Sequence, residues 1–185
     1  MARNAKINRD YYRYAQEVID GTIVAGEYVR LACERFFAFM QDDRYEFRED
    51  KVDDVLTFVS MLRHSTGRHA GRPFVPEPWQ MFALAGIYGF YYRGSNERLT
   101  KSVYLEMARK QGKTAFAAAL CLYALIGEGE MNAEVDLAAN SKDQAKIGFE
   151  MCSNFSRSID PAGKYLRAYR DRVLFDKTLS KLRVM

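Results

Sequence analysis

Between residues 102 and 126 the pattern changes from strand-like alternation to an alanine-rich helical run, and the change happens across one short basic loop. Ser102-Val-Tyr-Leu-Glu-Met107 alternates as a half-buried strand does, whereas Lys113 to Ile126 is rich in alanine and ends near Gly127. A strand that turns tightly into a helix constrains the chain strongly, because the next parallel strand must return by a right-handed crossover. That strand is expected at Ala133-Glu-Val-Asp-Leu-Ala-Ala139. A second helix follows from near Ser141, with Ala145, Gly148, Phe149, Cys152 and Phe155 on its inner face. Such alternation predicts an α/β fold with a parallel sheet and flanking helices. Val173 to Val184 reads as two short strands around Asp176-Lys-Thr178, a hairpin.

The first third reads as helices. Asn8-Arg-Asp10 is a cap region for a helix through Val18 and Ile19 that Gly21 closes. A second helix from Tyr28 places Val29, Ala32, Cys33, Phe36, Phe37 and Met40 on one face, and a third uses Val52, Val55, Leu56, Val59 and Leu62 in the same way. These faces are expected to dock on a core. His64 to Pro78, with Gly67, Gly71-Arg-Pro73 and Pro76-Glu-Pro78, reads as a loop. Pro78 then opens a short helix carrying Trp79, Gln80, Phe82, Ala83, Ile87 and Tyr88, before a turn at Gly94-Ser-Asn96. The expected organisation is an N-terminal helical segment over 1–66, packed on an α/β part over 67–185.

Composition excludes several classes. With 48% apolar and 14% aromatic residues the chain is too hydrophobic to be disordered. No apolar run approaches the roughly 20 residues that span a bilayer, and no apolar stretch follows the charged N-terminus as a signal peptide requires. A soluble, intracellular protein is expected, with no membrane contact. Cys33, Cys121 and Cys152 are odd in number and far apart, so they read as reduced core thiols. His64 and His69 lie near no cysteine or carboxylate cluster, which argues against a metal held by protein alone. The net charge of +4 is too small to imply nucleic acid. Lys164-Tyr-Leu-Arg-Ala-Tyr-Arg-Asp-Arg172 is locally basic with interleaved tyrosines and reads as a solvated helical face.

The residues that carry chemistry are Met107-Ala-Arg-Lys-Gln-Gly-Lys-Thr114, between the expected strand and helix. Free N–H groups and the dipole at a helix start favour an anion. Gly112 lets the backbone approach phosphates without a Cβ in the way. Lys113 is placed to reach β- and γ-phosphates, and the Thr114 hydroxyl to ligate Mg²⁺. Arg109 and Lys110 add two cations, and such a cluster repels itself unless it meets an anion. Met107 stands where a phosphate loop usually has its first glycine, so the string alone also fits a surface turn. The Gln80 carboxamide, some 30 residues upstream, offers one donor and one acceptor to match the adenine amino group and N7. By itself Gln80 also fits an ordinary surface position.

Pro78-Trp-Gln80, Gly86-Ile-Tyr-Gly89, Met107-Ala-Arg-Lys-Gln-Gly-Lys-Thr114 and Ala138-Ala-Asn-Ser-Lys-Asp-Gln-Ala145 together resemble the large terminase subunit of tailed bacteriophages. Tyr28-Val-Arg-Leu-Ala-Cys-Glu-Arg35 resembles the lead-in helix of that family. The similarity runs over nearly the whole chain, and a phosphate loop with an arginine and without the first glycine is typical of it. The resemblance implies a P-loop (Walker A) ATPase with ATP and Mg as cofactors, driving double-stranded DNA into a procapsid. It implies the portal protein and small terminase subunit as partners, a possible homo-oligomeric ring, and work in the cytoplasm of a host bacterium.

By the same resemblance Lys113 and Arg109 are catalytic, Arg109 sensing or stabilising the γ-phosphate. Gln80, Arg109, Lys110, Gln111, Gly112, Lys113 and Thr114 bind nucleotide, with Thr114 also on the Mg. The family's acidic strand reads as apolar residues followed by Asp-Glu. The nearest string here is Val173-Leu-Phe-Asp176, followed by Lys177, so Asp176 reads as a turn residue. The acidic strand and a ribonuclease-H-like nuclease domain are expected beyond residue 185, leaving the core incomplete at the C-terminus. The chain alone is then expected to bind nucleotide without efficient turnover. The alternatives are another P-loop, helicase-like ATPase, or a non-catalytic protein that binds nucleotide or DNA.

Overall fold

The structure, a computed structural model, describes residues 9–64 and 69–185. Asn8 of the expected first cap, Gly67, and the expected boundary at 66/67 lie outside the described residues. The described chain forms two compact units. One comprises residues up to Thr57 together with Pro76–Leu105, the other Phe58–Val75 together with Glu106–Met185.

In the first unit, α1 (Asp10–Ile19) packs on α2 (Glu27–Gln41) and on α4 (Pro78–Tyr88). The first turns of α3 (Glu49–Met61) also belong to this unit, and the division falls within that helix, after Thr57. The core here is aromatic. Phe36 is 3% exposed, and the rings of Phe47, Phe82 and Phe90 lie 5.2–5.3 Å from its centroid, with Tyr11 at 6.3 Å. Rings at these separations attract beyond the area they bury, by about 0.5–1.5 kcal/mol a pair. At the start of α1, Arg9 Nε donates to Asp53 at 3.1 Å, and the Tyr12 hydroxyl donates to Glu49 at 2.8 Å, tying α1 to α3.

A two-stranded antiparallel sheet completes the unit: β1 (Tyr45–Phe47) pairs with β2 (Phe90–Tyr92), Phe47 opposite Phe90. The all-helical expectation for the first third is corrected here, since three-residue strands are too short to show a period. Gly89, which ends α4 just before β2, lets the Phe47 ring lie against the backbone. A Cβ at Gly89 would lie 2.2 Å from Phe47 Cε2 and 2.6 Å from the Ala85 carbonyl oxygen.

In the second unit, α5 (Lys113–Ile126) and α6 (Lys142–Ile159) pack on each other and on a four-stranded sheet of order β3-β6-β5-β4. Its strands are β3 (Glu134–Leu137), β4 (Leu166–Ala168), β5 (Arg172–Phe175) and β6 (Ser180–Val184). β3 and β6 run parallel, and the other two pairs are antiparallel, so the fold is α/β as read but the sheet is mixed. The parallel register is marked by opposite charges: Glu134 faces Lys181 at 2.8 Å, and Asp136 faces Arg183 at 2.7 Å. Such exposed pairs add little energy but disfavour other registers. The buried Cys152 thiol donates to the Ala118 carbonyl at 3.8 Å and is held well above the usual thiol range by the neighbouring Cys121 thiol and by burial, and all three cysteines are free thiols.

Two further expectations change. Residues 102–107 join neither sheet, and Val103 is 54% exposed. Their alternation is a strand pattern, but pairing needs a partner strand that the described residues do not supply. Residues 164–172 are not helical: they hold β4, the turn after it and the first residue of β5, with Tyr169 N–H donating to the Arg172 carbonyl at 2.8 Å. Among the described residues no helix is long and apolar enough to cross a membrane.

Gly89→Ala should destabilise the first unit by about 1–3 kcal/mol, the usual cost of overpacking. A urea midpoint unchanged by that substitution would show that Phe47 does not need the space.

Candidate functional site

α5 begins with an unusual backbone. Its cap residue Gly112 has φ 78° and ψ 11°, and Lys110 has φ 66°, whereas Arg109, Gln111 and Lys113 stay at negative φ. Alternation of sign along 109–113 turns successive N–H groups into one concavity, the geometry of an anion-binding nest. None of the N–H groups of residues 109–114 donates to another described residue. For Gly112 this conformation is free of Cβ strain. For Lys110 it is the strained left-handed region, which an L-residue occupies at a cost of about 1–2 kcal/mol.

The electrostatics point the same way. α1, α2 and α3 carry Asp10, Glu27 and Glu49 in their first turns, and α4 is headed by Glu77. α6 is capped by the Ser141 hydroxyl, which accepts from Gln144 N–H at 3.3 Å, and carries Asp143 in its first turn. Among the helices of the described residues only α5 has neither a side-chain cap nor an acid in its first turn. Its positive end is therefore left uncompensated by the protein. Arg109, Lys110 and Lys113 are exposed and form no ion pair with any described residue, and the Thr114 hydroxyl is likewise exposed. Six consecutive residues thus present backbone donors, three cations and a hydroxyl at the head of a buried helix. Together they fit a triphosphate, with Thr114 able to contribute a metal ligand.

Gln80 belongs to the first unit. It is 4% exposed, so the ordinary surface reading does not hold. Its Oε1 accepts from the Glu77 N–H at 2.9 Å, and its own N–H donates to the Glu77 carbonyl at 2.8 Å. The side chain therefore closes the first turn of α4, as the Glu or Gln of a capping box does. The spacing Glu77-Pro-Trp-Gln80 carried that signal, which the sequence reading missed. The amide keeps its two N–H donors and one lone pair on Oε1.

Asp176 lies in the turn between β5 and β6, as expected, where its Oδ1 accepts from Arg167 Nη2 at 2.6 Å. Asn140 ends the stretch after β3, and the residues that follow it build the α6 cap rather than a reactive group.

The fold is α/β, and the entry to α5 has the geometry of an anion-binding loop. The family profile of the terminase large subunit ATPase domain matches residues 78–174, just over half of the chain, and the chain belongs to that family. Among solved structures, the crystal structure of the HK97 bacteriophage large terminase matches with a TM-score of 0.61 at 20% identity. That match covers 73% of this chain and 27% of the HK97 chain, so it is a likeness of fold to about a quarter of a longer protein. No curated protein matches.

Lys110→Gly removes the left-handed strain, and should raise stability by up to about 1 kcal/mol while weakening anion binding. A lower melting temperature for this variant would contradict the strained assignment.

Proposed function

We propose that the loop over 107–114 binds the triphosphate of Mg-ATP and that the chain is the nucleotide-binding part of a DNA-packaging motor. The observation that carries the reading is the uncapped, left-handed entry to α5 with its three unpartnered cations. In this reading the N–H groups of 109–114 and Lys113 hold the phosphates, and Lys110 and Gln111 line the loop. Arg109 stabilises charge at the γ-phosphate, and Thr114 ligates Mg²⁺. The capped, buried amide of Gln80 presents its donors and remaining lone pair to the Hoogsteen edge of adenine.

Membership of the terminase ATPase family supports an ATPase. Packaging of double-stranded DNA into a procapsid, with a portal protein and a small terminase subunit as partners, a ring of copies and work in the bacterial cytoplasm, is proposed by likeness to the phage enzyme. The chain by itself is proposed to bind nucleotide with little turnover. Hydrolysis needs a carboxylate on the metal and a group that orients water, and Asp176, the nearest match to that motif, is committed to Arg167.

The test is thermal unfolding of the chain with Mg-ATP and Mg-GTP. At about 100 times the dissociation constant, ATP should stabilise it by roughly 2.7 kcal/mol, and Lys113→Ala should lose most of this. Gln80→Glu keeps an oxygen for the Glu77 N–H but removes the amide donors, so it should erode a preference of ATP over GTP worth about 1–3 kcal/mol. Phosphate release should stay at the level of the Lys113→Ala blank. A shift that survives Lys113→Ala, or equal shifts by ATP and GTP, would refute the loop or the glutamine assignment respectively. Robust turnover would return Asp176 to the metal.

A further inference from the structure

A groove of about 520 Å³ runs along the exposed side of α6 where the turn between β4 and β5 faces it. α6 contributes Lys146, Glu150 and Arg157, and the turn contributes Tyr169 and Arg170. Arg157 and Arg170 have no ion-pair or hydrogen-bond partner among the described residues. Lys146 pairs only with the exposed Asp143, at 3.5 Å, an i,i+3 contact that water and salt largely screen. Glu150 is the one carboxylate lining the groove, so its balance is positive. Tyr169 is 42% exposed and is not loose: its N–H closes the turn onto the Arg172 carbonyl, and the Arg172 guanidinium lies 5.4 Å from its ring centroid.

We propose that this groove binds a single-stranded nucleic acid, its phosphates on Lys146, Arg157 and Arg170 and one base stacked on Tyr169. Three features favour that occupant. From Lys146 to Arg157 is eleven residues, about 16 Å along a helix at 1.5 Å per residue, a span that one small anion cannot neutralise and a phosphate chain can. The volume lies within the range of clefts that take small ligands, about 300–1,000 Å³, and suits one or two nucleotides. A half-exposed ring beside unpartnered guanidinium groups is the pairing by which flexible strands are held, through backbone charge and base stacking. A duplex keeps its bases stacked on one another and offers the ring no base face. The groove uses no residue of the 107–114 loop, so this proposal stands or fails apart from the nucleotide reading.

The experiment is fluorescence anisotropy of a labelled 20-nucleotide oligo-dT with the whole chain, repeated over a range of salt. The same strand hybridised to oligo-dA, and poly-glutamate as competitor, serve as the other arms. Arg157→Gln/Arg170→Gln should weaken the single strand at least tenfold and flatten the log–log salt slope by about 1.4, or 0.7 per lost phosphate contact. Tyr169→Ala should weaken it by about 5- to 150-fold, and Tyr169→Phe should restore binding, all at an unchanged melting temperature. Affinity untouched by the arginine pair would overturn the site. Duplex binding as tight as single-strand binding and indifferent to Tyr169→Ala would overturn the single-strand assignment. Equal competition by poly-glutamate, again indifferent to Tyr169→Ala, would mark an acidic polypeptide as the occupant instead.

Discussion

α5 is anchored along its length by side chains that cannot leave the core. Phe116, Ala118, Ala119, Leu122 and Leu125 are each at most 1% exposed. Burial of one such large side chain is worth about 1.5–3 kcal/mol, so turning the helix about its axis would forfeit several of them together. The direction in which its first N–H groups point is therefore set by packing behind the loop, not by the loop itself. That division of labour lets residues 107–114 carry features that a free-standing turn would not keep: a lysine in the left-handed region, three cations without partners, and a helix start with no cap of its own.

The same logic explains which parts of the fold were legible in the sequence. α5 was readable to its ends because an apolar alanine-rich run is bounded by glycine on both sides. The α6 start was readable from Ser141, and the β5–β6 hairpin from its turn residues. Where the period has no phase the reading failed. α4 is apolar nearly all round, so its sequence names no inner face, and Met81, Leu84 and Ala85 are more deeply buried than Phe82, Ala83 and Ile87. β1, β2 and β4 are three residues each, less than two periods of alternation. Residues 102–107 show the converse failure: a good strand pattern cannot pair without a neighbour, and pairing is not written locally.

Of the candidate site, the residue types and order were legible, and the conformation was not. Gly-Lys-Thr and the flanking cations could be read from spacing, but not the positive φ of Lys110, which no local pattern favours. Gln80 was legible as a chemical type, but its burial was not. Its burial and its bond to Glu77 come from the way α4 starts, and these fix an amide that would otherwise sample several rotamers. A side chain already held in one orientation loses less entropy on meeting a ligand, which makes a structural role and a reading role compatible in one residue.

The central claim is that the backbone at the head of α5 is the anion site. Hydrogen exchange of the backbone amides with and without saturating Mg-ATP tests it directly, because it reports on the N–H groups themselves. The account predicts that exchange of residues 109–114 slows markedly on adding Mg-ATP, while the self-capped start of α6 at 142–144 changes little. Unchanged exchange over 109–114, with slowing at another helix start, would contradict it.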